Sequence, residues 1–540
     1  MQRFNYLFLT LLFTSFFIGN ADAQTTTIIN APATNNDTSD VEIVAANRLT
    51  LLKTDDTTTL QILSGHVRLK QGKAFFNCDS CVLDKSHNLF EAWGNVHIND
   101  NDSINVFAGH MRYIIDIRMA YLDQNVKLSD GKGTLTTPDL QYDLKTDIGI
   151  YTHGGKVVNK KTILTSKEGY YYASLKDIYF KTNVSLNDPA YKIKTDSLLY
   201  NTGTQTTRFI SFTTIKDSSG RIIETRDGFY NMGAGKAEFG QRPVIKDKST
   251  IVVADKIAFN DSLGTSQAEG NVIITDTTEG TTLMAGQVFR DNKRERLLAK
   301  NKPLLIIKQE KDSIFIAAET IYTAKLSELH TKKDSLTRDT VKGRKVLSVE
   351  KKDTTNRYME AYGNVRIFSD SLQAVCDSLF YSQKDSIYRL YTEPIVWSRG
   401  VQLTGDTMLL LTKNKKASRL KVFENSMLIS KADPEVFNQI SSIKMDGYFT
   451  NGSLDSLRSF GDVNCIYFLQ DEDSSYTGIN ESKCDIMDFY NSESEGQKIV
   501  QRRAVTGTVW PIKQKNPQEM RLPNFKWMDN RRPKSKYELY

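Results

Sequence analysis

The chain has 540 residues, of which 39% are hydrophobic and 25% are charged, and its formal net charge is +7. Its mean hydropathy is -0.42. These values exclude a polytopic helical membrane protein and a disordered chain, and the small, dispersed positive charge does not argue for nucleic acid as a partner.

Residues 1–23 are typical of a secretory signal peptide. Arg3 supplies a positive charge, residues 4–18 form an apolar stretch, and Ala21-Asp22-Ala23 provides the small residues of a cleavage site. We therefore expect an exported protein. A polar, flexible lead is expected over residues 24–40.

A short motif recurs along the rest of the chain. Its clearest form is Ala-x-Gly-Asn-Val-x-Ile, which begins at Ala92, Ala268 and Ala361. Small or apolar residues alternate in it with polar ones at period two, which is typical of a half-buried β-strand. Looser copies begin at Leu63, Ser459 and Val505.

A second motif alternates with the first and has the form Asp-x-apolar-x-aromatic or aliphatic. Copies begin at Asp196, Asp255, Asp377, Asp406 and Asp485. A pair of short strands therefore repeats, and stacked copies must bury one another's apolar faces. The recurrent Asp is interpreted as a residue that caps a turn at the start of a strand, and the alternative is a ladder of carboxylates that binds cations.

The repeats predict the domain organisation and its ends. Open sheet edges are expected near residues 43–51 and 501–510, where the stack begins and ends. In the tail, Leu522, Phe525, Trp527, Arg532 and Pro533 are typical of a capping or docking segment. The predicted segments are β-repeats over 41–326, a charged loop insertion over 327–356, β-repeats over 357–512 and a C-terminal tail over 513–540.

Signatures of catalysis are missing from the sequence. Gly233-Ala234-Gly235-Lys236 lacks the remaining positions of a phosphate loop, and no Gly-x-Ser-x-Gly or His-Glu-x-x-His occurs. His66, His97 and His110 fall in the outward phase of their strands, so a metal site is not expected. We expect that the protein is not an enzyme and that it binds neither a cofactor nor a metal.

The five cysteines fit the repeat as small hydrophobic residues. Cys78-Asp79-Ser80-Cys81 has the spacing of a redox motif, but that chemistry requires a helix N-terminus. On one regular strand, residues three apart point to opposite faces. The sequence therefore predicts that Cys78 and Cys81 do not form a working redox pair.

The recurring Ala-x-Gly-Asn-Val-x-Ile and Asp-x-apolar-x-Tyr units behind a signal peptide resemble the organic-solvent-tolerance (OstA, LptA) family. The resemblance covers residues 41–512 and is strongest at 89–98, 252–274 and 359–381. It implies an all-β fold, an elongated, repeat-built, V-shaped two-sheet β-jellyroll without a membrane barrel. The chain is longer than one unit of that family.

The same resemblance implies a function in lipopolysaccharide transport to the outer membrane, by a protein that is either free in the periplasm or associated with the outer membrane. Lipopolysaccharide or lipid A is the expected ligand, and the expected partners are other transport proteins, joined end to end by strand addition, and an outer-membrane assembly protein. One alternative is an outer-membrane barrel, but the strands of this sequence lack the aromatic girdles that such barrels have. The other is a secreted or surface β-repeat adhesin or glycan binder.

Strand parity selects the side chains that would contact lipid. Val96 and Ile98 alternate with Asn95 and His97, which are able to face water. A trough lined by such residues would shelter acyl chains, while the alternative is that the same residues form an ordinary closed core. The predicted lipid-binding residues are Val96, Ile98, Val126, Val272, Ile274, Val365, Ile367 and Val463.

Overall fold

The structure is a computed structural model, and it describes residues 40–54, 59–100, 104–309, 312–329, 353, 355–450, 452–471, 475–492 and 496–539. The predicted signal peptide, most of the flexible lead and most of the charged loop lie outside these residues. Strands of antiparallel sheet run from Glu42 to Pro511. Among the described residues, no helix is long and apolar enough to cross a membrane.

The strands of the first half are as follows: β1 Glu42–Ala45, β2 Arg48–Lys53, β3 Thr59–Gln71, β4 Ala74–Asp84, β5 Leu89–Asp100, β6 Ile104–Ile114, β7 Met119–Ser129, β8 Thr134–Asp143, β9 Ile148–Tyr151, β10 Gly155–Asn159, β11 Thr162–Ser166, β12 Glu168–Tyr172, β13 Asp177–Asn187, β14 Tyr191–Asn201, β15 Thr206–Phe209, β16 Thr213–Asp217, β17 Ile222–Thr225, β18 Asp227–Asn231, β19 Lys236–Gly240, β20 Val244–Asp247 and β21 Thr250–Val253.

The remaining strands are β22 Lys256–Asn260, β23 Thr265–Asp276, β24 Thr281–Asp291, β25 Arg296–Lys300, β26 Leu304–Lys308, β27 Ser313–Ala317, β28 Thr320–Lys325, β29 Arg357–Phe368, β30 Gln373–Ser382, β31 Ile387–Tyr391, β32 Ile395–Ser398, β33 Val401–Thr404, β34 Thr407–Lys413, β35 Lys416–Asp433, β36 Val436–Thr450, β37 Ser453–Gln470, β38 Tyr476–Ser492, β39 Gly496–Arg502 and β40 Thr506–Pro511. Three 3₁₀ turns follow, Ile512–Gln514, Asp529–Arg531 and Lys536–Leu539.

The Gly-Asn pair of the repeated motif makes a corner in the middle of a long strand. In β5, Gly94 and Asn95 both have positive φ, +74° and +44°, and the pairing register with β6 shifts between Trp93 and Val96. Two residues on one strand thus oppose one on the next, which is a β-bulge that bends the strand. Left-handed positions recur in step along the chain, at Asn95, Asn125, Gly154 and Asn183, which are 30, 29 and 29 residues apart.

The recurrent Asp stabilises this corner. Its interpretation as a residue at the start of a strand holds for Asp255 and Asp406, which directly precede β22 and β34, but not for Asp79. Asp79 lies inside β4, and its carboxylate accepts a hydrogen bond from Asn95 Nδ2 at 2.8 Å. Asp255 accepts the equivalent bond from Asn271 at 2.9 Å. The two sequence motifs are therefore the two halves of one contact between neighbouring strands.

Gly94→Ala is expected to lower the free energy of unfolding by more than the cost of its backbone conformation. A left-handed φ costs a residue with a Cβ about 1–2 kcal/mol, and here the added Cβ would also lie 2.4 Å from Asp79 Oδ2. Gly131, whose φ is +80° and whose added Cβ would meet no atom within 4 Å, is the matched control. Urea denaturation of both variants measures the difference, and equal losses would argue against the contact.

The corners divide the structure into two facing ladders of strands. Residues 89–93 of β5 pair in what we call the first ladder, and residues 96–100 pair in the second. Inward side chains of both ladders, such as Phe90 and Ile98, pack into one hydrophobic cluster. The all-β, repeat-built fold is thereby confirmed.

The pairings also close into a circuit, which the repeats alone did not predict. Ten strands pair in sequence and return to the first. This is possible because β14 and β23 each cross from one ladder to the other. In order around the circuit the strands are β14, β15, β18, β19, β22, β23, β21, β20, β17 and β16.

The tail is a strap across the outer face of the second ladder. It begins beside Ile479 of β38, and its last residues place Leu539 against Phe315 of β27. Buried glutamines on that face hold its backbone: Gln402 Nε2 donates to the carbonyl of Lys526 at 2.7 Å, and Gln402 Oε1 accepts from the amide of Met528 at 2.8 Å. The tail is therefore a docking segment, and the surface on which it docks belongs to its own chain.

Candidate functional site

The interior between the two ladders contains the eight residues predicted to contact lipid. Ile274 is half-buried and packs against the core. The other seven are at most 4% exposed. They belong to one hydrophobic cluster. Residues that the sequence pattern selected therefore share one interior although they lie up to 367 positions apart in the chain (Val96 and Val463). The seven are Val96, Ile98, Val126, Val272, Val365, Ile367 and Val463.

A row of tyrosines joins the ladders at the ends opposite the corners. Tyr142 of the first ladder donates a hydrogen bond to Asp100 of the second at 3.1 Å. Each tyrosine of the row reaches a polar residue 41 or 42 positions earlier. We call these contacts the latch row; its pairs are Tyr113 with Gln71, Tyr142 with Asp100, Tyr171 with Asp130, and Tyr200 with Asn159.

The latch row repeats with the period of the corners. Its tyrosines are each 29 residues apart, and its polar partners are 29, 30 and 29 residues apart. All four tyrosines are at most 2% exposed. The repeated motifs do not predict this row, although the regular spacing of Tyr113, Tyr142, Tyr171 and Tyr200 in the sequence is a signal for it. The latches close the cross-section of this part of the interior.

The two carboxylates of the latch row differ in their electrostatics. Burial raises the pKa of Asp100 above its ordinary value, although the hydrogen bond from Tyr142 acts against the shift. Burial acts in the same direction on Asp130, but hydrogen bonds from the backbone N–H groups of Gly133 and Lys132 and from two hydroxyls outweigh it. The pKa of Asp130 is therefore lowered.

These shifts predict opposite effects of removing the charge. Asp100 binds its proton more tightly when folded, so its contribution to stability falls as the pH rises from the unfolded pKa through the folded one. Asp100→Asn should therefore leave the free energy of unfolding at pH 7 unchanged or raise it. A neutral amide is compatible with the latch row, since the side chain of Asn159 already forms the hydrogen bond with the Tyr200 hydroxyl.

Asp130→Asn should instead destabilise the protein at pH 7 by about 1 kcal/mol. The contribution of Asp130 is present above its unfolded pKa and is lost as the pH falls through its folded pKa. Denaturant unfolding of both variants at pH 7 and near pH 4 measures the effects. A larger loss at pH 7 for Asp100→Asn than for Asp130→Asn would contradict the assignment.

Both predicted sheet edges are present. Among the described residues, β1 and β2 at one end each pair with β3 alone, and β39 and β40 at the other end each pair with β38 alone. The first edge exposes apolar side chains, including Leu49 at 52% and Leu51 at 64%, and the second exposes Val509 at 59%. Unpaired backbone next to exposed apolar side chains is a surface suited to strand addition.

The two thiols of the Cys-x-x-Cys segment lie on the same side, which corrects the prediction that they face apart. Both are buried, because β4 passes a corner between them, where its register with β3 and with β5 shifts. The mutual hydrogen bond lowers the pKa of Cys78 and raises that of Cys81, whose burial adds to the rise. The prediction that they lack redox activity stays a prediction.

No cluster of three or more metal-ligating side chains occurs within the described ranges. Among the other cysteines, burial raises the pKa of Cys376 to about 12. Such a thiol is protonated and unreactive at neutral pH. The chemistry of the interior is therefore that of an apolar surface closed by hydrogen bonds.

Comparison with known protein families gives a match for one segment of the chain. Residues 38–196 match the family model described as OstA-like protein, in agreement with the resemblance of the repeats. A search of curated proteins found no significant match. The matched segment contains the first corners and the first three latch pairs.

Proposed function

We propose that this chain binds and carries lipopolysaccharide without catalysing a reaction, because residues 38–196 match the OstA-like family model and that family is related to lipopolysaccharide and lipid transport. The observation that carries the proposal is the single apolar interior that runs from Leu63 to Phe489 between the two ladders. In this proposal the ladders are the walls of a V-shaped jellyroll, and the chain works in the periplasm.

The energetics of lipid in water support this function. Each acyl CH₂ exposed to water costs about 0.8 kcal/mol, so a twelve-carbon chain costs roughly 10 kcal/mol. A continuous apolar interior lowers that cost along the whole route. Because seven of the eight predicted residues are buried in the closed form, the ladders must separate at the latch row or beyond it to admit a chain.

The direct test combines lipid analysis with crosslinking. Mass spectrometry of the protein purified from the periplasmic fraction should detect lipid A species. A photo-crosslinking residue at Ile274, which faces inward, should capture lipopolysaccharide, and one at the exposed Asn271 should not. Equal capture at both positions, or none at either, would mean that the interior is an ordinary core, and recovery outside the cell would favour the adhesin.

The open edges support a second part of the proposal, that the chain joins bridge proteins and an outer-membrane assembly protein end to end. Val505→Pro should weaken this contact while the middle repeats remain folded. Ala504 has φ +46°, and a residue before proline is driven out of such a conformation, so the corner that sets the path of β40 is disturbed.

Partner capture in a crosslinking pull-down measures the effect, with Val505→Ala as the control. Several-fold weaker capture by the proline variant alone is expected. Unchanged capture would count against strand addition at this edge.

A further inference from the structure

The burial of inward residues changes along the second ladder. From Ile98 through Leu164 and Leu186 to Ile245, the described apolar residues of this row are at most 6% exposed. The next positions, Val252 and Ile274, are half-buried, Leu283 on the following strand is 8% exposed, and Leu305 on the strand after it is again half-buried. Ile316 on β27 is fully buried again. A segment of partial exposure thus interrupts an otherwise closed interior.

The latch row ends where this segment begins. After Tyr200, the hydrogen bonds between ladders give way to a ring contact between Tyr191 and Tyr230, with centroids 4.8 Å apart. One repeat later, the guanidinium of Arg221 lies 5.0 Å from the ring centroid of Phe259. Tyr230 and Phe259 are themselves only half-buried. The closure of the cross-section therefore weakens step by step towards β23.

Apolar side chains of the second ladder line the edge of the partly open segment. Ile307 pairs directly with Ile314 across β26 and β27, and both are half-buried and pack against the core. In the closed repeats, the equivalent places near the turns are occupied by polar latch residues such as Gln71 and Asn159. Two isoleucines there leave apolar surface in contact with water, which is unfavourable.

The first ladder presents two arginines on its inward side in the same segment. Arg290 of β24 is exposed, and it pairs with Leu297 on the neighbouring strand β25. Arg357 reaches the turn between β24 and β25, where its Nη2 donates a hydrogen bond to the carbonyl of Glu295 at 2.9 Å. Glu295 is shared between Arg357 and Lys325, at 3.6 and 2.6 Å. Within the described part of the chain, no carboxylate forms an ion pair with Arg290.

We propose that this segment is a side opening of the interior that admits an amphiphile with a phosphate headgroup. The acyl chain would lie against Ile274, Leu305, Ile307 and Ile314, and the headgroup would contact Arg290 and Arg357 at the rim. An apolar groove next to two cations fits that chemistry, because the arginine fork binds phosphate oxygens through paired hydrogen bonds. The inference rests on the proposed lipid-carrying function and adds where the lipid enters.

The location is tested by photo-crosslinking residues at Ile314, inside the opening, and at Leu186, in the closed repeats. After brief exposure to lipopolysaccharide, capture at Ile314 should exceed capture at Leu186 at least fivefold. Equal capture, or capture at Leu186 alone, would overturn the opening while leaving lipid carriage intact. No capture at Ile314, Leu186 or Ile274, together with no co-purified lipid, would overturn both proposals.

The headgroup is tested with two probes that carry the same acyl chain, dodecyl phosphate and dodecyl maltoside. Arg290→Glu should weaken binding of dodecyl phosphate about tenfold, equivalent to about 1.4 kcal/mol, and leave dodecyl maltoside binding unchanged. Arg208→Glu, on the exposed outer side of the same ladder, should change neither. An equal effect on both probes, or none on either, would overturn the phosphate assignment, and circular dichroism verifies folding of each variant.

Discussion

Deletion of residues 515–540 is expected to unfold or aggregate the C-terminal repeats. The tail covers apolar side chains that point away from the interior, among them Trp397 and Ile429, which are at most 1% exposed. Without the tail they face water on the second ladder. The deletion also removes the backbone carbonyls that accept hydrogen bonds from two fully buried side-chain amides, those of Gln402 and Gln439.

The expected loss of stability is several kcal/mol, because each fully buried large apolar side chain contributes about 1.5–3 kcal/mol. Thermal unfolding followed by light scattering measures it. Gln402→Ala isolates one element of the strap and should cost about 1–3 kcal/mol, since it leaves the amide of Met528 and the carbonyl of Lys526 without this partner. A truncated chain as stable as the full one would contradict the role of the tail.

Val365→Asp is expected to have a comparable effect from the other side of the second ladder. Val365 is fully buried, and an unpaired carboxylate there would cost several kcal/mol or would be protonated. Both outcomes disturb the interior beside a corner, so lipid carriage should be lost and the free energy of unfolding should fall.

The neighbouring Asn364→Asp is the matched control. Asn364 is exposed and has φ +47°, a conformation that Asp tolerates. It should lower the free energy of unfolding by no more than about 1 kcal/mol, because its carboxylate would be exposed but close to that of Glu319, and it should not change lipid capture. Equal losses in the two variants would show that charge at the corner, rather than burial of the carboxylate, is the cause.

The repeated motifs by themselves determined much of this protein. Period-two alternation predicted strands and their buried side, so Val96 and Val272 were correctly placed inside. The recurrence of the motifs predicted the stack and its two open edges. Local patterns suffice for these features, because each strand's parity and each strand's partner next in sequence are encoded within one or two repeats.

Period-two alternation gave a wrong prediction of side-chain direction where the backbone departs from regular strand geometry. Two residues of opposite expected phase, Cys78 and Cys81, both face the interior because β4 passes a corner between them, where its register with both neighbouring strands shifts. The motif Gly94-Asn95 contained the reason for such corners, a left-handed pair that favours Gly and Asn. Alternation counted through a corner shifts by one residue, and only the three-dimensional register locates that shift.

Contacts between the ladders were decided by the tertiary structure alone. Tyr142 meets Asp100, 42 residues earlier, because the two ladders are staggered by three strands where their ends meet. The docking of Trp527 beside Phe437 likewise brings the tail back over strands formed much earlier. Neither the stagger nor the path of the tail follows from local periodicity, because both depend on how sheet twist and side-chain volume accumulate over many repeats.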